Sequence, residues 1–358
     1  MTGFRSAVKG RTAGERLRAR PVPVLRPDPA PRGRFAPRTP RGYLWKDESP
    51  PAAAAPAGGA PLRGRAAVPA PDRDGPGAEA RAGGGLAVLI PAANEEGQIG
   101  ACLAALAGAD PPGVPVAVIV VANGCRDATA QVAREAGAAL AARGWALRVI
   151  ELAAGGKTLA LNAGDAAAAD AGLRLYLDAD VTLAPDFLAA LVPVLARPEP
   201  AFASGRVRIT GRGRVARAYA RFWARVPFMA RGVPGCGAFA VNRAGRARWG
   251  AWPEIISDDT FARLQFRPGE RHPVAAGYDW PVAEGFAALV RVRRRQDRGV
   301  AEIAARFPAL LANDDKARPG AGGALRLALA DPAGFAVYAG VAAAVRLRRG
   351  SSGWSRGR

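Results

Sequence analysis

The stretch LAVLIPAANEEGQIGACLAAL, residues 86–106, decides the fold of this chain. It begins with a continuous apolar run, Leu86–Ile90, that has the length of one strand. After a polar segment, apolar residues recur at Ile99, Leu103 and Leu106, which is the spacing of one helix face. A strand without polar alternation is typical of the buried interior of a parallel sheet. The stretch therefore predicts a buried strand that leads into a helix.

Three further strand-then-helix units follow along the chain. Their strands are predicted at 114–122, 146–152 and 173–180, with helices beginning near 130, 158 and 185. Four such units in series predict an α/β fold with a mostly parallel, Rossmann-like sheet and helices on both of its faces. Beyond residue 200 the pattern is less regular, and we expect strands at 201–209 and 238–241 and helices at 215–225 and 257–265.

The first 83 residues differ from the rest in composition. Of the 31 prolines, 14 lie before residue 86, and no apolar run there is long enough to seed a core. We therefore expect residues 1–83 to form a disordered, Pro- and Arg-rich N-terminal arm and residues 84–315 to form the α/β domain. Residues 316–358 are expected to form an Ala-rich, basic C-terminal helix and tail.

The net charge of +21 raises the question of nucleic-acid binding. The basic residues are not interleaved with aromatic ones and match no nucleic-acid motif, so no nucleic-acid partner is expected. Part of the charge lies at Arg291–Arg298 and Arg346–Arg358. The second cluster follows an apolar stretch, Pro332–Val345, which is shorter than the roughly 20 residues that span a bilayer. The tail is expected either to rest on an anionic membrane or to pack on the domain.

The cysteines indicate the compartment. Cys102, Cys125 and Cys236 show no metal-ligand spacing, and the N-terminus lacks the apolar core of a signal peptide. Both features fit a reducing compartment. We expect a cytoplasmic protein, with peripheral contact on the inner face of the plasma membrane as a further expectation.

Polar or glycine residues follow each of the four predicted strands. In a parallel sheet the carboxyl ends of the strands share one edge, where ligands gather. Asp178 and Asp180 end the fourth strand, and two carboxylates on one face suit Mg²⁺ or Mn²⁺ held jointly with a diphosphate. Lys157 follows Gly155 and Gly156 at a helix start, which suits a phosphate. Each feature taken alone also fits a solvated turn or a helix cap.

Two acidic residues, Asp258 and Asp259, precede a later predicted helix. Carboxylates there either cap the helix and complement its dipole, or provide a general base for a hydroxyl group. His272 is the only histidine and has no accompanying motif, so we expect it to be structural. The sequence contains no Ser-His-Asp set, HExxH motif or Walker loop.

Five segments in this order resemble family 2 glycosyltransferases of the GT-A fold, and the resemblance extends from about Leu86 to Arg306. The segments are IPAANEE (90–96), NGCRDAT (123–129), GGKTLALN (155–162), DAD (178–180), and PGCGAFAVNRAG with IISDDTFARLQF (234–245 and 255–266). Each motif alone is weak. Together, at the spacing of the family, they outweigh the alternative interpretations.

The resemblance implies a role for individual residues. Asp259 is the implied catalytic base, and Asp180 with Asp178 the implied metal site. The nucleotide-sugar donor is expected to contact Pro91, Ala93, Glu95, Asn123, Lys157, Asp178, Asp180 and Arg298. The acceptor is expected to contact Gly235, Cys236, Gly237, Asp258 and Arg295.

Two departures from the family pattern refine this expectation. Asn123 stands where the family often has an aspartate that reads the base, and this departure weakens the expectation of a uridine donor. A UDP-sugar is still favoured over a GDP-sugar. Processive members carry Gln/Arg-x-x-Arg-Trp, whereas Arg295–Gly299 here reads RQDRG and lacks the tryptophan. The implied enzyme is an inverting, non-processive, hexosyltransferase-like glycosyltransferase that acts on a hydroxyl of a glycan, polysaccharide or lipid-linked acceptor. A nucleotidyltransferase of similar fold is the alternative, and a basic nucleic-acid-binding protein is a more remote one.

Overall fold

The computed structural model describes residues 84–317 and 319–347. The predicted N-terminal arm, 1–83, and the basic end of the tail beyond residue 347 lie outside the described residues. Within the described residues, eight strands form one mixed sheet. The strands are β1 (Leu86–Ala92), β2 (Val116–Asn123), β3 (Ala146–Leu152), β4 (Leu173–Leu177), β5 (Thr182–Leu183), β6 (Phe202–Thr210), β7 (Ala238–Asn242) and β8 (Arg271–Pro281).

Helices cover both faces of this sheet. The helices are α1 (Ile99–Ala107), α2 (Thr129–Glu135), α3 (Gly137–Ala141), α4 (Lys157–Ala167), α5 (Phe187–Leu195), α6 (Arg214–Trp223), α7 (Pro227–Arg231), α8 (Arg243–Arg246), α9 (Asp258–Leu264), α10 (Phe286–Arg306), α11 (Ala321–Ala330) and α12 (Pro332–Leu347). Two short 3₁₀ helices lie at Pro268–Glu270 and Pro308–Asn313.

The sheet order is β3-β2-β1-β4-β7-β6-β8-β5. β1 pairs in parallel with β2 and β4, and β2 pairs in parallel with β3, as the four strand-then-helix units predict. β6 and β8 are also parallel, whereas β7 is antiparallel to β4 and β6, and β5 is antiparallel to β8. The predicted α/β class, with a mostly parallel sheet flanked by helices, is confirmed.

The central strand β1 shows why LAVLI folds as it does. Leu86, Val88 and Ile90 belong to the apolar cluster that includes α1 and α5. Ala87 and Leu89 belong to the opposite cluster, which includes α4 and α9. Because successive side chains of a strand point to opposite faces, a strand covered by helices on both sides must be apolar throughout. The carboxyl end of β1 is thereby fixed beside the ends of β2 and β4.

Two large elements, β8 and α10, are absent from the sequence-based prediction. β8 contains Pro273 and Gly277, residue types that are depleted in strands, and it shifts register against β6 between Ser204 and Arg206. Its alternating burial follows from pairing with β6, which is distant in sequence. The sequence pattern gave no prediction for β8, because this strand depends on long-range pairing.

The C-terminal helix α12 packs on α6 and α10. The Tyr338 ring stacks on Tyr219 at 5.4 Å between ring centroids and contacts Phe222, and Val341 is buried in the same cluster. Asp331 at the start of α12 accepts two hydrogen bonds from Arg221, at 2.8 and 3.0 Å. No helix within the described residues has the length and hydropathy needed to cross a bilayer.

Candidate active site

A cleft of about 1040 Å³ opens at the carboxyl ends of β1, β2 and β4. One wall, which we call the strand-end half, comprises residues 91–98, 123, 155–161 and 176–180. The other wall, the helix half, comprises residues 212–223, 256–259 and 280–296. The edge at which ligands were expected is therefore the edge that carries the cleft.

Most of the predicted site residues line this cleft. They are Pro91, Ala93, Glu95, Asn123, Lys157, Asp178, Asp180, Gly237, Asp258, Asp259 and Arg295. Three others do not line it, namely Gly235, Cys236 and Arg298. The backbone carbonyl of Cys236 accepts a hydrogen bond from the Tyr278 hydroxyl at 2.8 Å, and burial raises the pKa of the Cys236 thiol. Arg298 is exposed on α10.

Lys157 joins the two halves of the cleft. Its ammonium lies 2.8 Å from Asp178 Oδ1 and 3.1 Å from Asp258 Oδ1. Burial alone lowers the pKa of Lys157, but attraction to Asp178, Asp258 and Asp259 outweighs it, so the pKa lies above its usual value. Lys157 is therefore a permanent cation at the start of α4, with one carboxylate partner on each side of the cleft.

Asp258 is the most buried of these carboxyl groups, with 7% of its side chain exposed. Burial raises its pKa to about 6, and repulsion from Asp259 and Asp178 acts in the same direction, while Lys157 acts against it. Asp259 is the next residue of α9, is half-buried, and accepts a hydrogen bond from the Thr260 amide at 2.6 Å. The first turn of α9 thus presents two carboxyl groups in different environments.

Asn123 organises the backbone of the strand-end half. Its side-chain amide donates to the Ala92 carbonyl at 2.9 Å and to the Val121 carbonyl at 3.3 Å. The side-chain oxygen accepts a hydrogen bond from the Gly156 amide at 2.8 Å. Asn123 is 2% exposed, so these bonds are protected from water. An aspartate could accept from Gly156 but could not donate to either carbonyl.

A second set of hydrogen bonds joins the loop after β1 to the loop after β2. The Asn94 side chain accepts from the Arg126 amide at 2.7 Å, and Thr129 accepts from the Glu95 amide at 2.8 Å. Glu96 accepts from the Ala128 amide at 2.9 Å. The segments IPAANEE and NGCRDAT, which are separated in sequence by α1 and β2, are therefore one interlocked structure.

The carboxylates at the end of β4 fit a divalent cation that is shared with a ligand. Within residues 84–317 and 319–347 no cluster of three or more His, Cys, Asp or Glu could hold a metal ion on its own. Mg²⁺ commonly uses one or two carboxylates and completes its shell with phosphate oxygens and water. Asp178 is bonded to Lys157, and Asp180 lies two residues further along the chain in the lining of the same cleft.

Sequence analysis missed several residues of the helix half, among them Arg212, Trp223, Trp280 and Arg291. The indole rings of Trp223 and Trp280 lie 5.3 Å apart between centroids. Trp280 also fills the space beside Gly237, where a Cβ atom would lie 2.8 Å from the indole ring. The aromatic pair YDW at the end of β8 was the available signal, but the strand that positions it was not recognised.

Comparison with known proteins supports the family resemblance. Residues 83–233 match the family model described as "Glycosyltransferase like family 2". No curated protein matches the sequence significantly.

Three similar solved structures are glycosyltransferases by description. The mannosyltransferase from Pyrobaculum calidifontis, in complex with GDP-Man and Mn²⁺, is 23% identical over 75% of this chain and 76% of that chain, with a TM-score of 0.46. Glucosyl-3-phosphoglycerate synthase from Mycobacterium tuberculosis, in complex with uridine-diphosphate, is 24% identical over 63% and 80%, with a TM-score of 0.42. Mannosyl-3-phosphoglycerate synthase from Rubrobacter xylanophilus is 22% identical over 63% and 76%, with a TM-score of 0.43. The matched residues, 83–233, contain IPAANEE, NGCRDAT, GGKTLALN and DAD, which are four of the five segments that carry the resemblance to family 2 glycosyltransferases.

Proposed function

We propose that this glycosyltransferase moves a sugar from a nucleotide-diphosphate sugar to an acceptor hydroxyl with inversion at the anomeric carbon. The observation that carries the proposal is the contact of Lys157 with both Asp178 and Asp258. It brings the phosphate-binding elements of the strand-end half within one side chain of the carboxylates at the start of α9. A donor diphosphate and an acceptor hydroxyl can therefore meet in one cleft.

The strand-end half is the proposed donor site. Pro91, Ala93, Glu95 and Asn123 lie where the nucleoside is expected, and Lys157 where the diphosphate is expected. Asp180, with Asp178, is the proposed ligand set for Mg²⁺ or Mn²⁺. When bound, such an ion neutralises charge on the departing diphosphate. A UDP-sugar is the proposed donor, and a GDP-sugar is the second choice.

Asp259 is the proposed general base. It takes the proton of the acceptor hydroxyl while that oxygen attacks the anomeric carbon, and the nucleoside diphosphate leaves with the electrons of the broken bond. Asp258, buried and bonded to Lys157, holds the first turn of α9 in position. The two neighbouring carboxyl groups thus have separate tasks, which agrees with their different environments.

A single addition, not a polymer, is the proposed product. Gly299 stands where processive members carry tryptophan, and a Cβ atom at Gly299 would lie 2.1 Å from Ser257 Oγ. In this packing no side chain can project there to cover a growing chain. The acceptor is proposed to be a hydroxyl of a glycan, polysaccharide or lipid-linked saccharide.

The proposed function can be tested by thermal shift with a panel of nucleotide sugars, each with Mn²⁺ and with EDTA. One nucleotide sugar is expected to stabilise the protein in Mn²⁺ only, since binding at 100 times Kd adds about 2.7 kcal/mol. Product analysis with that donor should give a nucleoside diphosphate. Stabilisation by none of the panel would contradict the proposal. So would the formation of a nucleoside triphosphate and a sugar phosphate from that donor and added pyrophosphate, in place of a nucleoside diphosphate.

Peripheral membrane contact through α11 is a second part of the proposal. Leu325 and Leu329 are 60% and 71% exposed on this helix. They are proposed to lie on the inner face of the plasma membrane, beside the acceptor. Flotation of the full chain with anionic liposomes should be weakened in the variant that combines Leu325→Ser and Leu329→Ser. Equal flotation of wild type and variant would contradict the proposed membrane contact of α11.

A further inference from the structure

Three arginines of α10, Arg291, Arg293 and Arg295, line the helix half of the cleft. Arg293 bonds to Asp297 at 2.8 Å and to the Tyr338 hydroxyl at 3.2 Å. Within the described ranges, the guanidinium groups of Arg291 and Arg295 have neither an ion pair nor a side-chain hydrogen bond. Arg295 is half-buried and Arg291 is exposed. Arg293 is therefore held by its own helix and by α12, while Arg291 and Arg295 remain available to a ligand.

The packing of α10 on α9 fixes where these arginines stand. At Gly299 the helix touches Ser257, the residue before Asp258, so closely that a Cβ atom would clash. One turn further on, Glu302 accepts a hydrogen bond from the Ile256 amide at 2.9 Å. The carboxyl-terminal part of α10 is thus fastened to the segment that leads into the proposed base.

Helical spacing then gives the distance from the base. Arg291, Arg295 and Gly299 are four residues apart and lie on one face of α10. Each step of four residues advances about 6 Å along the axis. Arg295 therefore stands about one turn from Ser257 and Arg291 about two turns from it, in a row that leads outwards along the cleft wall.

We propose that Arg295 and Arg291 bind a phosphate group carried by the acceptor, one to two helical turns away from the hydroxyl that receives the sugar. A guanidinium binds phosphate through two parallel hydrogen bonds, and two such groups one turn apart can bind one phosphate together. This inference depends on the proposed function for the identity of the acceptor. The phosphate is either that of a soluble phosphate ester or that of a lipid headgroup.

Binding of inorganic phosphate is the first test, measured by calorimetry at constant ionic strength with a nucleoside diphosphate and Mn²⁺ present at saturating concentration. Wild type should bind phosphate, and the double variant Arg291→Gln, Arg295→Gln should bind it about tenfold or more weakly. Arg148→Gln, which removes one exposed positive charge of β3 outside the cleft lining, is the matched control and should behave as wild type. Equal affinity in the double variant, or an equal loss in the control, would overturn the proposal.

Nucleoside diphosphate affinity in the same variants separates acceptor binding from donor binding. UDP and GDP with Mn²⁺ should bind the double variant as they bind wild type. If their affinity falls together with that of phosphate, the arginines serve the donor diphosphate and the proposal is wrong. If no nucleotide binds even wild type while phosphate binding still depends on the arginines, the proposed function fails and the anion site stands.

Vesicles distinguish the two sources of phosphate. Phosphatidylcholine vesicles with and without phosphatidic acid are floated with wild type, the double variant and Arg148→Gln. Capture that requires both phosphatidic acid and the two arginines assigns the site to a lipid headgroup. Arginine-dependent binding of inorganic phosphate without such capture assigns it to a soluble ester. Independence from the arginines in both assays would refute the site.

Discussion

The strand-end half and the helix half of the cleft are built in opposite ways. In the strand-end half, polar side chains such as Asn123, Asn94 and Thr129 are bonded to backbone groups of neighbouring loops. In the helix half, Arg291 and Arg295 face the cleft with no bonded partner among the described residues. One half is organised by the chain itself, whereas the other leaves its strongest hydrogen-bond donors for a ligand.

This difference predicts how substitutions divide between stability and activity. A group bonded to buried backbone costs stability when it is removed, because its partners remain buried and unsatisfied. A group held ready for a ligand costs binding or turnover and leaves the fold intact. Lys157 connects the two halves because its ammonium contacts Asp178 in one and Asp258 in the other. Substitutions in the two halves can therefore be compared within one site, by their effects on stability and on turnover.

The largest expected effect is on turnover, from Asp259→Asn in the helix half. Loss of the base should lower kcat by about 10²- to 10⁴-fold, because general-base catalysis typically contributes that much. Donor affinity and melting temperature should stay close to wild type, since the amide can still accept from Thr260. Initial rates with the identified donor, together with nucleoside diphosphate titration, measure both quantities. Wild-type turnover in this variant would assign the base elsewhere.

Gly299→Ala should break the junction between α10 and α9. A Cβ atom there would lie 2.1 Å from Ser257 Oγ and 3.0 Å from Ile256 Cγ2, so Ser257 must move. Overpacking of this kind costs about 1–3 kcal/mol, and the displaced first turn of α9 should also lower kcat. Chemical denaturation and initial rates check the two effects.

A glycine on another helix provides the matched control for this substitution. Gly322 of α11 has no atom within 4 Å of the position that a Cβ atom would take, so Gly322→Ala should stabilise α11 by up to about 1 kcal/mol through helix propensity alone. If Gly299→Ala stabilised the protein as the control does, the close contact of α10 with Ser257 would be wrong.

Asn123→Asp tests the strand-end half with an almost isosteric change. The carboxylate keeps the bond from the Gly156 amide but loses the donors to the Ala92 and Val121 carbonyls and places negative charge beside them. A loss of about 1–3 kcal/mol is expected, since buried acceptors are left unsatisfied. Chemical denaturation at neutral pH measures it. Unchanged stability would show that the amide bonds contribute little to the loop structure.

The same contrast explains which parts of the molecule the sequence predicted. The parallel strands and the residues that follow them are local features, and runs such as LAVLI can form little other than a strand buried on both faces. The helix half is assembled from β8, α10 and the start of α9, whose positions depend on pairings between distant segments. No local pattern in YDWP reveals that Trp280 lies against Trp223 in the wall of the cleft.

Individual site residues show the same division. Lys157, Asp178 and Asp180 were found because each directly follows a predicted strand or begins a predicted helix. The bonds of Asn123 could not be predicted, because two of its partners, Ala92 at the end of β1 and Gly156 before α4, are distant in sequence. In the sequence, Gly299 was notable only because processive members carry a tryptophan at this position. Its role in the packing of α10 on Ser257 is visible only in three dimensions.

The smallest expected effect is a pH dependence at the junction of the two halves. The pKa of Asp258 is raised to about 6, so below that pH the carboxyl is protonated and Lys157 keeps only Asp178 as a full ion-pair partner. A fall of a few-fold in kcat/KM is expected as pH decreases through about 6. The effect on stability has the opposite direction: a raised folded-state pKa favours folding below the unfolded value, and this contribution is lost as pH rises through about 6.

Asp258→Asn separates this group from others that titrate nearby. The variant should lose the activity change near pH 6, and its stability relative to wild type should be greater at pH 8 than at pH 5, because it carries no buried charge to ionise. His272 is the only histidine of the chain, its pKa is lowered from the usual value by burial and by Arg197, and it gives the control variant His272→Gln. The pH profile should persist in His272→Gln. If the pH profile of kcat/KM vanished in His272→Gln and persisted in Asp258→Asn, ionisation of Asp258 would not be its cause.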